Sequence, residues 1–418
     1  MSFDAEANRR RFLQYLAASP LLTGSAGSAL AETLLPKPKQ PDPLFWGPFD
    51  PADLIKTPKD AINVFDFEPV CRQNVPPAHF GYMAAGIDDE VTLRANRQDF
   101  QKFILRPRRL VDVSKPSIKT EILGVTYDSP IFICPIGGQR SFHADGEIGV
   151  AKAAKAGNHL QVLSSVTSNS GEDVTAARGQ PIWQMLYATN KWEVAEAIVK
   201  RAEKAGCHAV AVTVDRSGGR NQETLFRLRR SDTRECNGCH DRSSFATSYR
   251  TRPMYNTLDL SGLKNLQSSA MTWDFFKRLR DTTKMKIVIK GILSYEDAVI
   301  AADNGIDAII VSNHGARSED SGRSTIDALP EIVEAVKGRM PILVDSGFRR
   351  GSDVIKALCM GATAVGVGRP YIWGLGAFGQ AGVERVLELV REEFQGMMQQ
   401  VGAPTIKHLV PGMVRRAT

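Results

Sequence analysis

The chain has 418 residues, 43% hydrophobic and 24% charged, a globular balance with enough apolar surface for one large core or two ordinary ones. Six cysteines and 35 glycines at this length exclude a disulfide-scaffold miniprotein and a collagen-like repeat, and no uncharged apolar run approaches the ~18 residues a membrane-crossing helix needs. The net charge of +7 is spread along the chain and gives no argument for nucleic acid as a partner.

Asn8-Arg9-Arg10-Arg11-Phe12-Leu13 opens residues 1–31, followed by a short apolar stretch and an exit at Ala29-Leu30-Ala31. Paired arginines, a short apolar region and a small-x-small exit, in that order, read as a twin-arginine export signal; an exposed amphipathic helix is the competing reading. The expectation is a soluble periplasmic protein that folds around a tight prosthetic group before export. Residues 32–60 carry Pro36, Pro38, Pro41, Pro43, Pro48 and Pro51 and read as a stiff extended linker. Residues 61–418 are the main domain, with a loop insertion at about 217–270.

From Ile131 onward short apolar runs alternate with helical patterns. The runs are Ile131–Gly137, Leu160–Ser165, Ile182–Tyr187, Ala209–Asp215, Ile287–Ile292, Ile309–His314, Ile342–Gly347 and Ala364–Gly368. Each is too short for a helix, and several are rich in Val and Ile, as strands buried on both faces should be. Trp192–Gly206 has a helical stripe of Val194, Ala195, Ile198, Val199 and Ala202 and stops at Gly206; Gly305 and Gly361 stop two more. Eight such units predict a (β/α)8 TIM barrel. A doubly wound open sheet shares the local pattern, and the unit count favours the barrel.

Every predicted strand ends in polar or glycine residues, and in a barrel those ends share one face. Gly366-Val367-Gly368-Arg369-Pro370 permits close backbone approach to a phosphate with Arg369 pairing to it, and Arg349 and Arg350 add charge; glycines at a strand end are otherwise turn residues. Lys290, ending an apolar run, is either a rim residue or a cation aimed at a ligand anion. Ser312-Asn313-His314-Gly315-Ala316-Arg317 offers an imidazole base and, three residues on, a guanidinium that can clamp a carboxylate; a lone structural histidine is the alternative.

From about Tyr82 to His408 the sequence resembles the FMN-dependent 2-hydroxy acid dehydrogenases and oxidases, among them glycolate oxidase and the lactate and mandelate dehydrogenases. The resemblance rests on Ala85-Gly86 through Thr92-Leu93, Asn96-Arg97, Phe103 through Arg108, the Ser312–Arg317 motif, Asp345-Ser346-Gly347-Phe348-Arg349-Arg350-Gly351 and Gly368-Arg369-Pro370. It implies that Tyr82 touches the substrate carboxylate and that Ile136, Gly137, Ser164, Gln184, Thr213 and Ser312 contact the flavin ring. By the same resemblance Lys290 lies beside flavin N1 and O2, His314 is the base, Asp215 steadies its imidazolium and Arg317 clamps the carboxylate. Asp345, Ser346, Gly347, Arg349, Gly368 and Arg369 match the ribityl and phosphate site.

Two departures bear on the substrate. The family's Gln-x-Tyr on the third strand is here Gln184-Met185-Leu186-Tyr187, so Leu186 takes the tyrosine position and Tyr187 replaces it only if the strand bulges. The family's Gly-x-Arg-Glu after strand four appears as Gly218-Gly219-Arg220-Asn221, a turn about two residues shorter, from which Arg220 is expected to reach the substrate.

Cys236-Asn237-Gly238-Cys239-His240, within the insertion, has the Cys-x-x-Cys-His form of a covalent c-type haem site, with His240 as iron ligand; a local disulfide and a zinc half-site are the competing readings. Cys71, Cys134, Cys207 and Cys359 read as core residues. The expected function is FMN-dependent oxidation of a lactate-like 2-hydroxy acid to the 2-oxo acid, with electrons passing to a haem or cytochrome. An oxidase that makes hydrogen peroxide, and a flavin electron carrier without turnover, are the alternatives. Related barrels form tetramers, which makes a homotetramer the expected assembly.

Overall fold

Runs of Ile, Val, Leu and Ala that would be insoluble on either face alone close on each other in the computed structural model, which describes residues 54–234 and 245–417. Ahead of the barrel, β1 (Phe103–Leu105) is followed by a hairpin of β2 (Thr120–Ile122) and β3 (Val125–Tyr127). Its two-residue turn, Leu123-Gly124, takes positive φ at both positions, the twist that tight hairpins prefer.

The barrel strands are β4 (Ile131–Ile133), β5 (Leu160–Leu163), β6 (Trp183–Tyr187), β7 (Ala209–Thr213), β8 (Lys286–Ile292), β9 (Ala308–Val311), β10 (Ile342–Val344) and β11 (Ala364–Val367). All pair in parallel with their sequence neighbours, and β11 pairs back to β4 through Val365–Ile131, closing the barrel. Every one of the eight apolar runs supplies one strand, so the barrel stands and the open sheet does not. The final strand, β12 (Val414–Arg416), returns to pair antiparallel with β1.

Helices cover the barrel. Trp192–Lys204 buries Val194, Ala195, Ile198, Val199 and Ala202, and the chain leaves it at Gly206 with φ of +83°. Two helices close over the C-terminal ends of the strands. Pro77–Ala84, ahead of the barrel, carries Tyr82, and Glu223–Arg230 belongs to the insertion after β7. They meet at Gly81, where a Cβ would stand 3.1 Å from the Leu228 side chain and 3.2 Å from Leu225 Cα, a tight approach that glycine relieves.

The proline-rich segment differs from expectation at its described end. Pro58–Asp60 is one 3-10 turn, not an extended linker, and it contacts the helix Arg369–Gln400; the Asp60 carboxylate accepts from the Thr57 N–H at 2.8 Å and holds the turn. The export motif at residues 8–13 and the rest of the linker lie outside the described residues. Among the described residues no helix is long and apolar enough to cross a membrane.

Candidate active site

The C-terminal ends of the barrel strands, the helix Pro77–Ala84 and the insertion surround a cavity of about 530 Å³. That volume falls within the range of small-molecule sites. Strand register decides which side chains enter it. Tyr187 on β6 opposes Thr213 on β7, which opposes Lys290 on β8, and directly opposed residues of a parallel sheet share a face.

His314 follows β9 with φ of +59°, and Gly315 and Ala316 continue at +69° and +60°. A left-handed run through two non-glycine residues is costly backbone that persists only when its surroundings hold it. Asn313 supplies much of that hold. Its amide exchanges reciprocal hydrogen bonds with Asn96 at 2.9 and 2.7 Å, and its Oδ1 accepts from Ala316 N–H at 3.0 Å. The turn swings the imidazole back over the barrel. Its Nδ1 lies 2.8 Å from Asp215 Oδ1, and Nε2 lies 3.4 Å from the Tyr187 hydroxyl. Burial pushes His314 down to about 4, with Asp215 pulling up and Lys290 adding to the fall, so the ring is neutral at pH 7. Burial alone would raise Asp215, but His314 and Lys290 outweigh it and hold the carboxyl below its ordinary value.

Lys290 stands at the centre of a buried charged network. Its Nζ donates to Ser312 Oγ at 2.8 Å and faces Asp345 at 3.6 Å and Asp215 at 3.9 Å. Ser312 and Ser346 both donate to Asp345 Oδ1, at 2.7 and 2.8 Å. Burial disfavours the ammonium, yet Asp345 and Asp215 raise it above its ordinary value, so the cation persists.

Across the cavity, the Arg317 guanidinium stacks over the Tyr82 ring at 4.5 Å and bonds the Tyr82 carbonyl. Arg220 donates to the Arg317 carbonyl at 3.4 Å. At the β10–β11 end, Arg369 donates to the carbonyls of Met83, Gly315 and Ala85, and Arg349 lies over the Trp373 ring at 4.8 Å. Burial, with Arg317 and Arg349 close by, pulls Arg369 down to about 9; burial and Arg97 pull Arg349 to about 10. Guanidiniums under such mutual stress are the complement of an anion.

The chain matches the family model described as FMN-dependent dehydrogenase over residues 71–416. It belongs to the FMN-dependent dehydrogenases. The peroxisomal (S)-2-hydroxyacid oxidase GLO3 of Arabidopsis thaliana is 37% identical over 356 residues, covering 85% of this chain and 96% of that protein. L-lactate oxidase of Lysinibacillus sphaericus (strain C3-41) is 36% identical over 347 residues, covering 82% and 90%. Among solved structures, the flavin-binding domain of baker's yeast flavocytochrome b2 superposes with a TM-score of 0.76 at 30% identity, covering 86% of this chain and 87% of that one.

The residues present fit FMN, the group this FMN-dependent dehydrogenase requires. Thr213 Oγ1, on the interior face beside Lys290, and Arg349 Nε are buried polar atoms without a hydrogen-bond partner in the protein. At Gly368 a Cβ would meet only Cys134 Cβ, at 3.8 Å, so the backbone there is open to the cavity. Ile136, Gly137, Ser164, Ser346, Gly347, Arg349, Gly368 and Arg369 line the same space, with Asp345 in its wall. These residues would hold the ring, ribityl chain and phosphate, with Lys290 on the inner side.

Two expected flavin contacts are placed otherwise. Gln184 opposes Val210 on the outer face of the sheet and donates to the carbonyls of Leu163 and Met185, at 3.2 and 2.9 Å. Ser312 lies behind the cavity wall, its Oγ taken up by Lys290, Asp345 and His314 N–H. Nor does Tyr187 need a bulge. β6 pairs with β7 over five consecutive residues without a shift, which turns Tyr187 inward and leaves Leu186 facing the helices. The residue turned out by the altered spacing is therefore Gln184. Arg220 does line the cavity, from the shortened turn.

Sequence reading missed Arg216, which follows Asp215 and lies 4.9 Å over the Tyr187 ring, and Tyr249 and Arg252 from the insertion, all in the cavity lining. The one signal for Arg216 is its place beside Asp215 at a strand end. Cys71, Cys134, Cys207 and Cys359 are buried and free. Cys236, Cys239 and His240 lie outside the described residues.

Proposed function

We propose that the protein oxidises a 2-hydroxy acid to the 2-oxo acid and passes the electrons to a c-type haem or a cytochrome. The observation that carries the reading is a neutral, buried imidazole, fixed by Asp215, in one cavity with the Arg317 guanidinium and the Lys290 ammonium. The relatives named for 2-hydroxyacid and lactate oxidation support the substrate class.

Arg317 offers two parallel N–H donors to the substrate carboxylate, and Tyr82 lies against that guanidinium. This fixes the 2-carbon and its hydroxyl near His314 Nε2 and the Tyr187 hydroxyl. His314 Nε2 takes one substrate proton, and Asp215 then faces an imidazolium 2.8 Å away, which it stabilises. FMN, when bound, supplies the acceptor for the two electrons that leave the C–H bond. Lys290 keeps a positive charge on the inner wall, where electron density accumulates. The proton His314 takes is that of the hydroxyl, so the carbonyl forms as the C–H hydrogen departs with its electron pair as a hydride equivalent.

Export through the twin-arginine route places the reaction in the periplasm, and the Cys236–His240 motif supplies the one-electron acceptor. The test is a visible spectrum of the exported protein, followed by anaerobic mixing with a panel of 2-hydroxy acids. Bleaching of the flavin bands by at least one acid, and a Soret band that survives denaturing extraction, are expected. No bleaching by any acid overturns the reaction. Flavin bands without a Soret band, together with peroxide release in air and no reduction of added cytochrome, overturn the acceptor and assign oxygen in its place.

A further inference from the structure

Four arginines converge on one end of the cavity, and a monocarboxylate needs only part of that charge. Arg317 stacks on Tyr82 and Arg220 lies against the Arg317 backbone, which accounts for one carboxylate. Arg216 is on a different wall, over the Tyr187 ring at 4.9 Å. Arg252 comes from the insertion and lies beside Gly138, where a Cβ would be 3.3 Å from its guanidinium. The nearest carboxylates are committed elsewhere, Asp215 to His314 and Lys290, Asp345 to Lys290. Among the described residues none forms an ion pair with Arg216, Arg220, Arg252 or Arg317.

The electrostatics of the neighbouring groups agree with this geometry. Burial pushes Tyr82 up, but Arg317, Arg216, Arg220 and Arg252 together outweigh it and hold the phenol below its ordinary value. Burial, together with repulsion from Arg216 and Arg317, lowers Arg220 to about 10. The repulsion falls on Arg220 and Arg317, whereas Arg216, against the pull of burial, is held above its ordinary value by the phenols of Tyr187, Tyr82 and Tyr249; like charges facing one cavity remain costly unless a ligand neutralises them.

We propose that the substrate is a 2-hydroxy acid with a second anionic group a short chain away, received by Arg216 and Arg252 while Arg317 holds the 2-carboxylate. This rests on the 2-hydroxy acid reading and narrows it. Carboxylate and phosphate share the recognition chemistry, a planar guanidinium fork meeting paired anionic oxygens. A group near Tyr187 also stands next to the reacting carbon, so its binding aligns the substrate along the cavity and excludes short uncharged side chains from the preferred set.

The test compares kcat/KM of the FMN-loaded enzyme, with a one-electron dye as acceptor, for lactate, malate, 2-hydroxyglutarate and 3-phosphoglycerate. At least one of the three acids with a second anionic group is expected to exceed lactate by about tenfold or more, and which of them does so distinguishes a distal carboxylate from a phosphate. Arg216→Gln and Arg252→Gln are each expected to lower the ratio of that acid to lactate by roughly 10- to 100-fold, the worth of a charge-assisted contact. Arg216→Lys, which keeps the charge, recovers part of the ratio. Lactate as the best substrate overturns the second anion and leaves the 2-hydroxy acid reading intact. An equal loss for all four acids in both Gln variants also overturns it, since that is what mere support of Tyr187 would give. Absence of flavin bleaching by all four acids overturns both.

Discussion

Asp215 Oδ1 lies 2.8 Å from His314 Nδ1, so the carboxylate fixes the ring by one nitrogen and leaves Nε2 facing Tyr187 and the cavity. The pair sets a pH signature. Burial holds His314 down at about 4, so the imidazole is neutral and able to accept a proton above that pH and is protonated below it. The acid limb of kcat/KM is therefore expected near pH 4, not at the ordinary histidine value of about 6.5. Asp215 pulls the His314 value upward, and Asp215→Asn removes that pull, so the limb moves further down. At the same time kcat falls by about 100-fold or more, because the imidazolium formed in the reaction loses its counter-charge. A wild-type limb near 6.5, or an Asn variant with undiminished kcat, contradicts the assignment.

Lys290 acts on the same imidazole with the opposite sign. Its charge lowers His314, so Lys290→Met should raise the acid limb, where Asp215→Asn lowers it. The substitution also leaves Asp215 and Asp345, both buried, without the cation that faces them at 3.9 and 3.6 Å. Removing one member of a buried charged cluster costs about 3–5 kcal/mol. A pH profile combined with thermal melting of the same protein checks both effects. An unchanged melting temperature would mean that the carboxylates are stabilised by something other than Lys290.

Arg349 gives a prediction that separates phosphate from ring recognition. It is buried, its Nε has no partner in the protein, and Trp373 supports its guanidinium at 4.8 Å. Arg349→Gln should weaken FMN by roughly 10- to 100-fold in titration calorimetry, the worth of one or two charge-assisted bonds, and leave riboflavin affinity nearly untouched. Equal losses for both ligands would place Arg349 away from the phosphate.

The barrel could be read from the sequence because each strand is an apolar run that must leave the core through a polar or glycine residue. Asp215, Lys290 and His314 stand out for the same reason, as polar groups at the ends of such runs. Pairing across long separations could not be read this way: β1 meets β12 about three hundred residues later, and neither segment carries a local sign of it. The face of Gln184 was hidden by a different cause. Gln184 and Tyr187 are three apart, so only one of them enters the cavity, and the choice is made by the neighbouring strand, where Tyr187 opposes Thr213. Arg216 and Arg252 were missed because loop arginines are ordinarily solvated, and only the folded site shows Arg216 lying over the Tyr187 ring and Arg252 beside Gly138.

The register of β6 yields a last prediction, which runs against the simplest engineering intuition. Leu186 stands where the family pattern places a tyrosine, and Leu186→Tyr would restore that pattern on paper. In the structure Leu186 opposes Val212, faces the helices and is fully buried. The site face is already occupied by Tyr187, one residue on, because successive side chains of a strand point to opposite faces. The larger ring would be forced into a packed layer, at about 1–3 kcal/mol. Leu186→Tyr is therefore expected to lower the melting temperature without raising kcat. Tyr187→Phe, which removes the hydroxyl 3.4 Å from His314 Nε2, should lower kcat about tenfold and leave the melting temperature nearly unchanged. A Leu186→Tyr variant that gains activity, beside a Tyr187→Phe variant that keeps it, would show that the strand is displaced by one residue from the register described.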